Sequence, residues 1–337
     1  MSRARCDLRA HTTLFAVLAL LAAVLSGCAS SSSATQVTLT VGSPCKSCLK
    51  QLLTASGQDK GTSYRLQWAD FDSTPTLVQA LKAGYVDVAS GGETGVLFGI
   101  AAGAKVRLLG AVQDSNVGGS SILVKNSSNI RTLADLKGRK VALPFYTAQH
   151  YQLAKALDSA GVAWKDVDIV NLDTAAGQSA FNSGAVDAFV IWDPNAAVAE
   201  LRDNAHALVR LSDIQQTYSA LYASAGAVDD PAKKAALEDL TRRVVQAYQW
   251  VGTHKTDWAR TVSQLSGVPI EAAQLAANRT DPQLAPIDDK VRQSWQDETD
   301  YFVRLGQLKQ PFAVADSVAP GFGTIISQQL ATVKAGS

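Results

Sequence analysis

Three groups of residues in this sequence have the types and spacings to do chemistry. The first is Cys45-Lys46-Ser47-Cys48, a Cys-x-x-Cys placed where a short β-branched run gives way to a helical pattern. Such a pair can close a small disulfide. At a helix start it is also the geometry of dithiol redox chemistry, because the helix dipole lowers a thiol's pKa. The second is a pair of carboxylates inside a partial repeat. Gly84-Tyr85-Val86-Asp87-Val88 is echoed by Gly184-Ala185-Val186-Asp187-Ala188, and nine residues beyond each first glycine stand Glu93 and Asp193. The third is a set of hydroxyls, Ser43, Thr94 and Thr147, in the strand-to-helix loops Ser43–Cys48, Gly92–Gly95 and Tyr146–Gln149. The first N–H groups of a helix lack partners and carry positive partial charge, so such loops can cup an anion.

Catalysis has little to work with. There is no Gly-x-Ser-x-Gly, no His-Glu-x-x-His and no phosphate loop. Four histidines, one of them His11 near the N-terminus, leave few general bases. His150 reads as a helix-face residue. A metal site would need two ligands beyond Cys45 and Cys48, and only His150 is a candidate, so neither metal nor cofactor is expected.

The elements that must position these groups alternate between strand and helix. Strand patterns cover Val37–Val41, Tyr64–Trp68, Val86–Ala89 and Val106–Val112, with helices through Leu49 and Leu53, over Thr74–Ala83 and over Gly95–Ala102. A second alternation begins near Ser121–Val124. It continues through a short helix Thr132–Leu136, a strand Lys140–Leu143, a helix Ala148–Ala160, a strand Asp168–Asn171, a helix Ala175–Asn182 and a strand Ala188–Trp192. This predicts two doubly wound, mostly parallel sheets. Beyond Asp230 the pattern is helical throughout. Leu237, Leu240, Val244, Tyr248 and Val251 share one face, and Val291, Trp295, Phe302 and Leu305 another, as in a tail that covers one of the sheets. Glu93 and Asp193 each fall just past the carboxyl end of a strand, where open α/β sheets bind ligands. Two lobes with matching loops would face each other across a cleft.

The 337 residues are 47% hydrophobic, which suits about two domains with cores of their own. Arg3, Arg5 and Arg9 precede an apolar run, Leu14–Val24, too short to span a bilayer. Leu25-Ser26-Gly27-Cys28 then resembles a bacterial lipobox. The expectation is a signal peptide over 1–27, lipid on Cys28, and a flexible tether over 28–36 holding an extracytoplasmic protein to the membrane. Without the first 27 residues the chain has 28 basic and 29 acidic residues, a formal charge of −1. A near-neutral body with no basic block argues against nucleic acid and against adsorption to anionic lipid.

Longer stretches carry a family resemblance over nearly all of the mature chain. Gly91-Gly92-Glu93-Thr94-Gly95, Ala134-Asp135-Leu136-Lys137-Gly138-Arg139-Lys140-Val141-Ala142, His150-Tyr151, Gly184 through Pro194 and Pro286-Ile287-Asp288-Asp289 resemble, in order and spacing, the aliphatic sulfonate-binding proteins of ABC importers. These stand within the nitrate, sulfonate, taurine and thiamine-precursor group of periplasmic binding proteins. The resemblance implies a type II, two-lobed α/β fold. Lobe one would hold 37–119 and 218–337 and lobe two 120–217, with Ile122–Val124 and Tyr218–Tyr222 as crossing strands. It also implies a monomer that serves a permease and an ATPase. Two loops depart from the family. Phe145-Tyr146-Thr147-Ala148-Gln149-His150 replaces a glycine-led segment, and Pro44-Cys45-Lys46-Ser47-Cys48 replaces a Tyr- or Gly-rich loop. The added ring at Tyr146 is expected to narrow or restack the pocket.

A sulfonate stays a monoanion at physiological pH and needs a cup of donors with no proton partner. Hydrogen bonds involving a charge are worth roughly 1.5–3 kcal/mol each net, so about four to six of them reach micromolar affinity without an arginine. The candidate contacts are Ser43, Cys45, Phe71, Gly92, Glu93 and Thr94 from the first lobe. From the second come Tyr146, Thr147, Ala148, Trp192 and Asp193, and Tyr218 comes from the return crossing. Trp192, Phe145, Tyr146 and Phe71 would bury an organic tail. Glu93 and Asp193 are read as stiffening their loops through backbone N–H groups, with the ammonium of a taurine-like zwitterion as the alternative. Cys45 and Cys48 are expected to form a structural disulfide. Two other readings stay open: a receptor for nitrate or a thiamine-precursor-like heteroaromatic, and a thiol-disulfide oxidoreductase using Cys45 and Cys48.

Overall fold

The computed structural model describes residues 36–114 and 119–336. The signal-like segment, Cys28 and the serine-rich stretch lie outside the described residues. The first part runs β1 (Thr38–Ser43), α1 (Leu49–Ala55), β2 (Arg65–Asp70), α2 (Thr74–Lys82), β3 (Val88–Gly91), α3 (Glu93–Ala101) and β4 (Val106–Asp114). Then come β5 (Ser120–Lys125), a 3-10 turn at Leu133–Leu136, β6 (Lys140–Leu143), α4 (Ala148–Ser159), β7 (Asp168–Asn171), α5 (Thr174–Ser183), β8 (Ala188–Trp192), α6 (Asn195–Arg202) and β9 (Ala205–Arg210). After β10 (Ser219–Ser224) the chain is mainly helical: α7 (Ala225–Asp229), α8 (Pro231–Thr253), α9 (Lys255–Ser266), α10 (Ile270–Arg279), β11 (Pro282–Ala285), α11 (Asp289–Arg304) and α12 (Phe322–Gly336).

These strands build two mixed sheets, one ordered β11-β4-β10-β3-β1-β2 and the other β7-β6-β8-β5-β9. β1 lies parallel to β2 from Thr38↔Arg65 to Ser43↔Asp70, and parallel to β3 at Val41↔Val88. β6 takes the same central place in the second sheet, parallel to β7 and β8. The repeated motif explains part of this likeness. Asp87 accepts from the Thr40 amide at 2.9 Å and gives its own amide to the Thr40 carbonyl, and Asp187 does the same to Lys140. In each lobe the aspartate fastens the start of the third strand to the start of the central one. Gly84 and Gly184, at φ 81° and 75°, make the left-handed turn that a Cβ would oppose.

The sheets are less uniformly parallel than expected. β10 runs antiparallel between β3 and β4, and β5 antiparallel between β8 and β9. Each enters its sheet from the other lobe, so it arrives against the local strand direction. Ile122–Val124 and Tyr218–Tyr222 are thus sheet members. The chain passes between the sheets just ahead of each, after β4 and after a 3-10 turn at Leu211–Asp213.

The tail also differs from the expectation. It contains a strand, β11, paired antiparallel with β4. It covers both faces of the first sheet: α8 buries Leu237, Leu240, Val244 and Val251 against Leu39, Val41 and Leu221, while Val291 and Trp295 of α11 pack with Leu77, Val96 and Tyr222 on the other face. Leu305 caps the end of α11 and is exposed, so the apolar face stops at Phe302.

Candidate functional site

The carboxyl ends of β1, β3 and β8 and the starts of α1, α2, α3 and α4 surround a cleft of about 330 Å³. Two starts come from opposite lobes and nearly touch. A Cβ built on Gly92, before α3, would lie 3.6 Å from the Ala148 amide nitrogen that opens α4, and one on Gly95 would lie 3.0 Å from the Tyr146 carbonyl. The starts of α2, α3 and α4 all lack a side-chain cap, whereas α5, α8 and α11 are capped by Asp173, Asp230 and Asp288. First-turn N–H groups left uncapped in a cleft are donors for an anion.

Of the expected contacts, Cys45, Gly92, Thr147, Ala148, Trp192 and Asp193 line this cleft. Cys45 and Cys48 are joined by a disulfide, and both face the cleft directly ahead of α1. Thr147 contributes its surface rather than its proton, since its hydroxyl donates to the Pro144 carbonyl at 2.8 Å.

The other six lie elsewhere, each for a physical reason. Ser43 is buried behind the cleft wall, 3.5 Å from the Cys45 carbonyl and the Gln51 side chain. Phe71 packs into the core of the first lobe. Tyr218 is core as well, and its carbonyl accepts from the Trp295 indole. Strand-like alternation puts its neighbours Thr217 and Ser219 on the cleft side instead. Tyr146 does not narrow the pocket. Held at φ 61°, a costly region for a bulky residue, its ring turns aside onto Phe98, 4.7 Å between centroids.

Thr94 and Glu93 turn inward. Thr94 is fully buried and donates to Glu298 on α11. The Glu93 carboxyl lies near the Tyr218 amide and the Thr217 hydroxyl without a hydrogen bond to either. Burial pushes Glu93 up to about 8. Burial, and then the charge of Glu93, raises Glu298 well above the carboxylate range. The two form a buried pair behind the cleft, where an ammonium would not meet them. His150 is also buried, stacked 4.7 Å from Phe145 and accepting from the Tyr146 amide, and burial lowers it to about 4.

Asp193 does carry a loop-stiffening bond, accepting from the Ala197 amide at 3.0 Å. Burial raises it to about 6 against the pull of Arg279, whose Nη1 lies 3.5 Å away. Residues not anticipated include Thr74 at the start of α2, Gln149 and Gln152 on α4, and Tyr248, Trp258 and Thr280 from the tail. Thr74 follows a strand-to-helix turn of the same kind and was open to the same reasoning. The tail residues reach the cleft only through tertiary packing, which leaves no local signal. Among the described residues, no lysine, arginine or histidine lines the cleft, and Asp114 and Asp193 are its only acidic side chains. The arrangement can hold a small anion through neutral donors while aromatic carbon covers an apolar tail.

Comparison with known proteins agrees with this geometry. The chain is 36% identical over 155 residues to a protein of Escherichia coli (strain K12) named for binding aliphatic sulfonates, covering 46% of this chain and 48% of that one. It thus spans about half of that relative's length. A Bacillus subtilis (strain 168) protein with the same naming is 26% identical over 256 residues, 75% of this chain and 76% of the other. Among solved structures, the alkanesulfonate-binding protein SsuA from Xanthomonas axonopodis pv. citri, bound to MOPS, has a TM-score of 0.76 at 25% identity, covering 84% of this chain and 98% of that one. Residues 72–255, more than half of the sequence, match the family described as NMT1/THI5 like, and the chain belongs to that family.

Proposed function

We propose that this chain is the extracytoplasmic substrate-binding protein of an ABC importer. It captures a small organic sulfonate, an alkanesulfonate or a taurine-like molecule, between its lobes and delivers it to a permease and its ATPase. The observation that carries this reading is the pair of uncapped helix starts, α3 and α4, meeting from opposite lobes within one cleft. A ligand touching both would favour the closed form, because it gains contacts there that the open form lacks. The sulfonate head would take backbone N–H groups, and Trp192 and Trp258 would cover the organic tail. The names of the relatives support the choice of head group. Lipid on Cys28 and the serine-rich stretch would keep a monomeric receptor beside its permease, and the reading assigns no catalysis.

Calorimetric titration with ethanesulfonate, taurine, nitrate and a pyrimidine tests it. A sulfonate is expected to bind with Kd of the order of 1 μM. No affinity for any sulfonate at millimolar concentration would overturn the reading. For the anchor, palmitate labelling should disappear in Cys28→Ser.

A further inference from the structure

Arg279, at the end of α10, belongs to the helical tail, yet its guanidinium ends among carboxylates of the second lobe. Nη2 lies 2.5 Å from Glu200 Oε2, and Nη1 lies 3.4 Å from Glu200 Oε1 and 3.5 Å from Asp193 Oδ1. The three side chains are 16%, 14% and 6% exposed, so Asp193 is buried and the other two are largely covered. Glu200 also takes Arg210 from its own lobe, at 2.7 and 3.1 Å, which makes a cluster of two positive and two negative groups. Burial, which would raise Glu200, is outweighed by the two arginines, and its carboxyl is held below the ordinary range. Nearer the surface, Arg202 of α6 pairs with Glu271 of α10 and joins the same two helices again.

Two features tie this cluster to the cleft. Asp193 is itself part of the cleft wall, between Trp192 and Pro194, and Thr280, next to Arg279, lines the wall from the tail. The Asp193 carboxylate is also set in direction by the Ala197 amide, so it already points at the guanidinium when the lobes meet.

We propose that Arg279 is a positioning residue for capture: from the tail it clamps the Trp192-Asp193-Pro194 segment of the second lobe and holds the cleft shut. Opening the cleft along this seam would strand Glu200 and Asp193 with Arg210 alone, and leaving a buried charge unpaired is costly. Arginine suits the task because its planar fork reaches two carboxylates at once, which a lysine ammonium cannot do. The ligand part of this proposal rests on the sulfonate reading, and the closure part does not.

The test compares wild type with Arg279→Gln, Arg279→Lys and Arg210→Gln by small-angle scattering without ligand, and by stopped-flow dissociation of ethanesulfonate followed through tryptophan fluorescence. Arg279→Gln is expected to show a larger radius of gyration and to release ethanesulfonate at least about tenfold faster. Arg279→Lys should fall between it and wild type, and supplies the comparison should the glutamine variant fail to fold. Arg210→Gln, which strips charge from the same Glu200 without reaching across the seam, should stay compact. Unchanged compactness and release rate in Arg279→Gln would overturn the clamp. Opening of Arg279→Gln while wild type binds neither ethanesulfonate, taurine nor any other sulfonate at millimolar concentration would support the clamp and overturn the sulfonate reading instead.

Discussion

A hydroxyl at a helix start can face a ligand or face inward, and its neighbours decide which. Thr94 stands in a strand-to-helix loop, yet its oxygen meets Glu298, a carboxyl brought by α11 from about two hundred residues away. Losing that donor would leave a fully buried carboxyl without its bond. Thr94→Val is therefore expected to cost about 1–3 kcal/mol of stability in urea unfolding, with sulfonate affinity changed by less than that amount. Loss of affinity without loss of stability would return Thr94 to the ligand site. The same distinction governs what single residues disclosed in advance. Positions whose role follows from the local chain were legible, as with Asp193 at the end of β8 or Cys45 ahead of α1. Positions whose role depends on a distant partner were not. Tyr218 could be placed on the return crossing, but which of Thr217, Tyr218 and Ser219 faces the cleft depends on how β10 seats between β3 and β4.

At the level of elements, the alternation of strands and helices up to Trp192 was readable because each turn carries its own signal, such as a left-handed glycine after a helix. β11 was not, since four residues, Pro282–Ala285, have no periodicity of their own and become a strand only by pairing with β4. The loop before α1 is the element whose chemistry is most open to test. Its disulfide closes a ring of only four residues, and the chain-entropy relation gives roughly 2 kcal/mol for so short a loop. Cys45→Ser/Cys48→Ser is expected to lose about that much stability in urea unfolding and still bind sulfonate, while wild type shows no thiol-exchange activity. Exchange activity that vanishes in the double variant would instead favour the dithiol oxidoreductase. The uncapped starts of α2, α3 and α4 around the cleft argue for the structural role, because their N–H groups can serve an anion without asking anything of a thiol.

The stability of the whole molecule should carry the mark of the carboxyl pair buried behind the cleft. Burial pushes Glu93 up to about 8 in the fold, against about 4.3 in an unfolded chain, so between those values the folded state holds the extra proton. Stability then falls as pH rises, by about 1.4 kcal/mol per unit for each such proton, and the loss is complete once pH passes the folded value. Glu298 acts in the same direction. Two other groups finish lower. Asp193, at about 6, contributes with the same sign only up to that pH. His150, lowered to about 4, has the opposite sign: its contribution is lost as pH falls from 6.5 toward 4 and is constant above 6.5. Between pH 6.5 and 8 the Glu93–Glu298 pair therefore sets the slope. Urea unfolding across that interval should show stability declining with pH. Glu93→Gln should at least halve the decline, because it removes one titrating carboxyl and the charge that helps to raise the other. An undiminished slope in that variant would mean that the two carboxyls do not hold a proton between them at neutral pH.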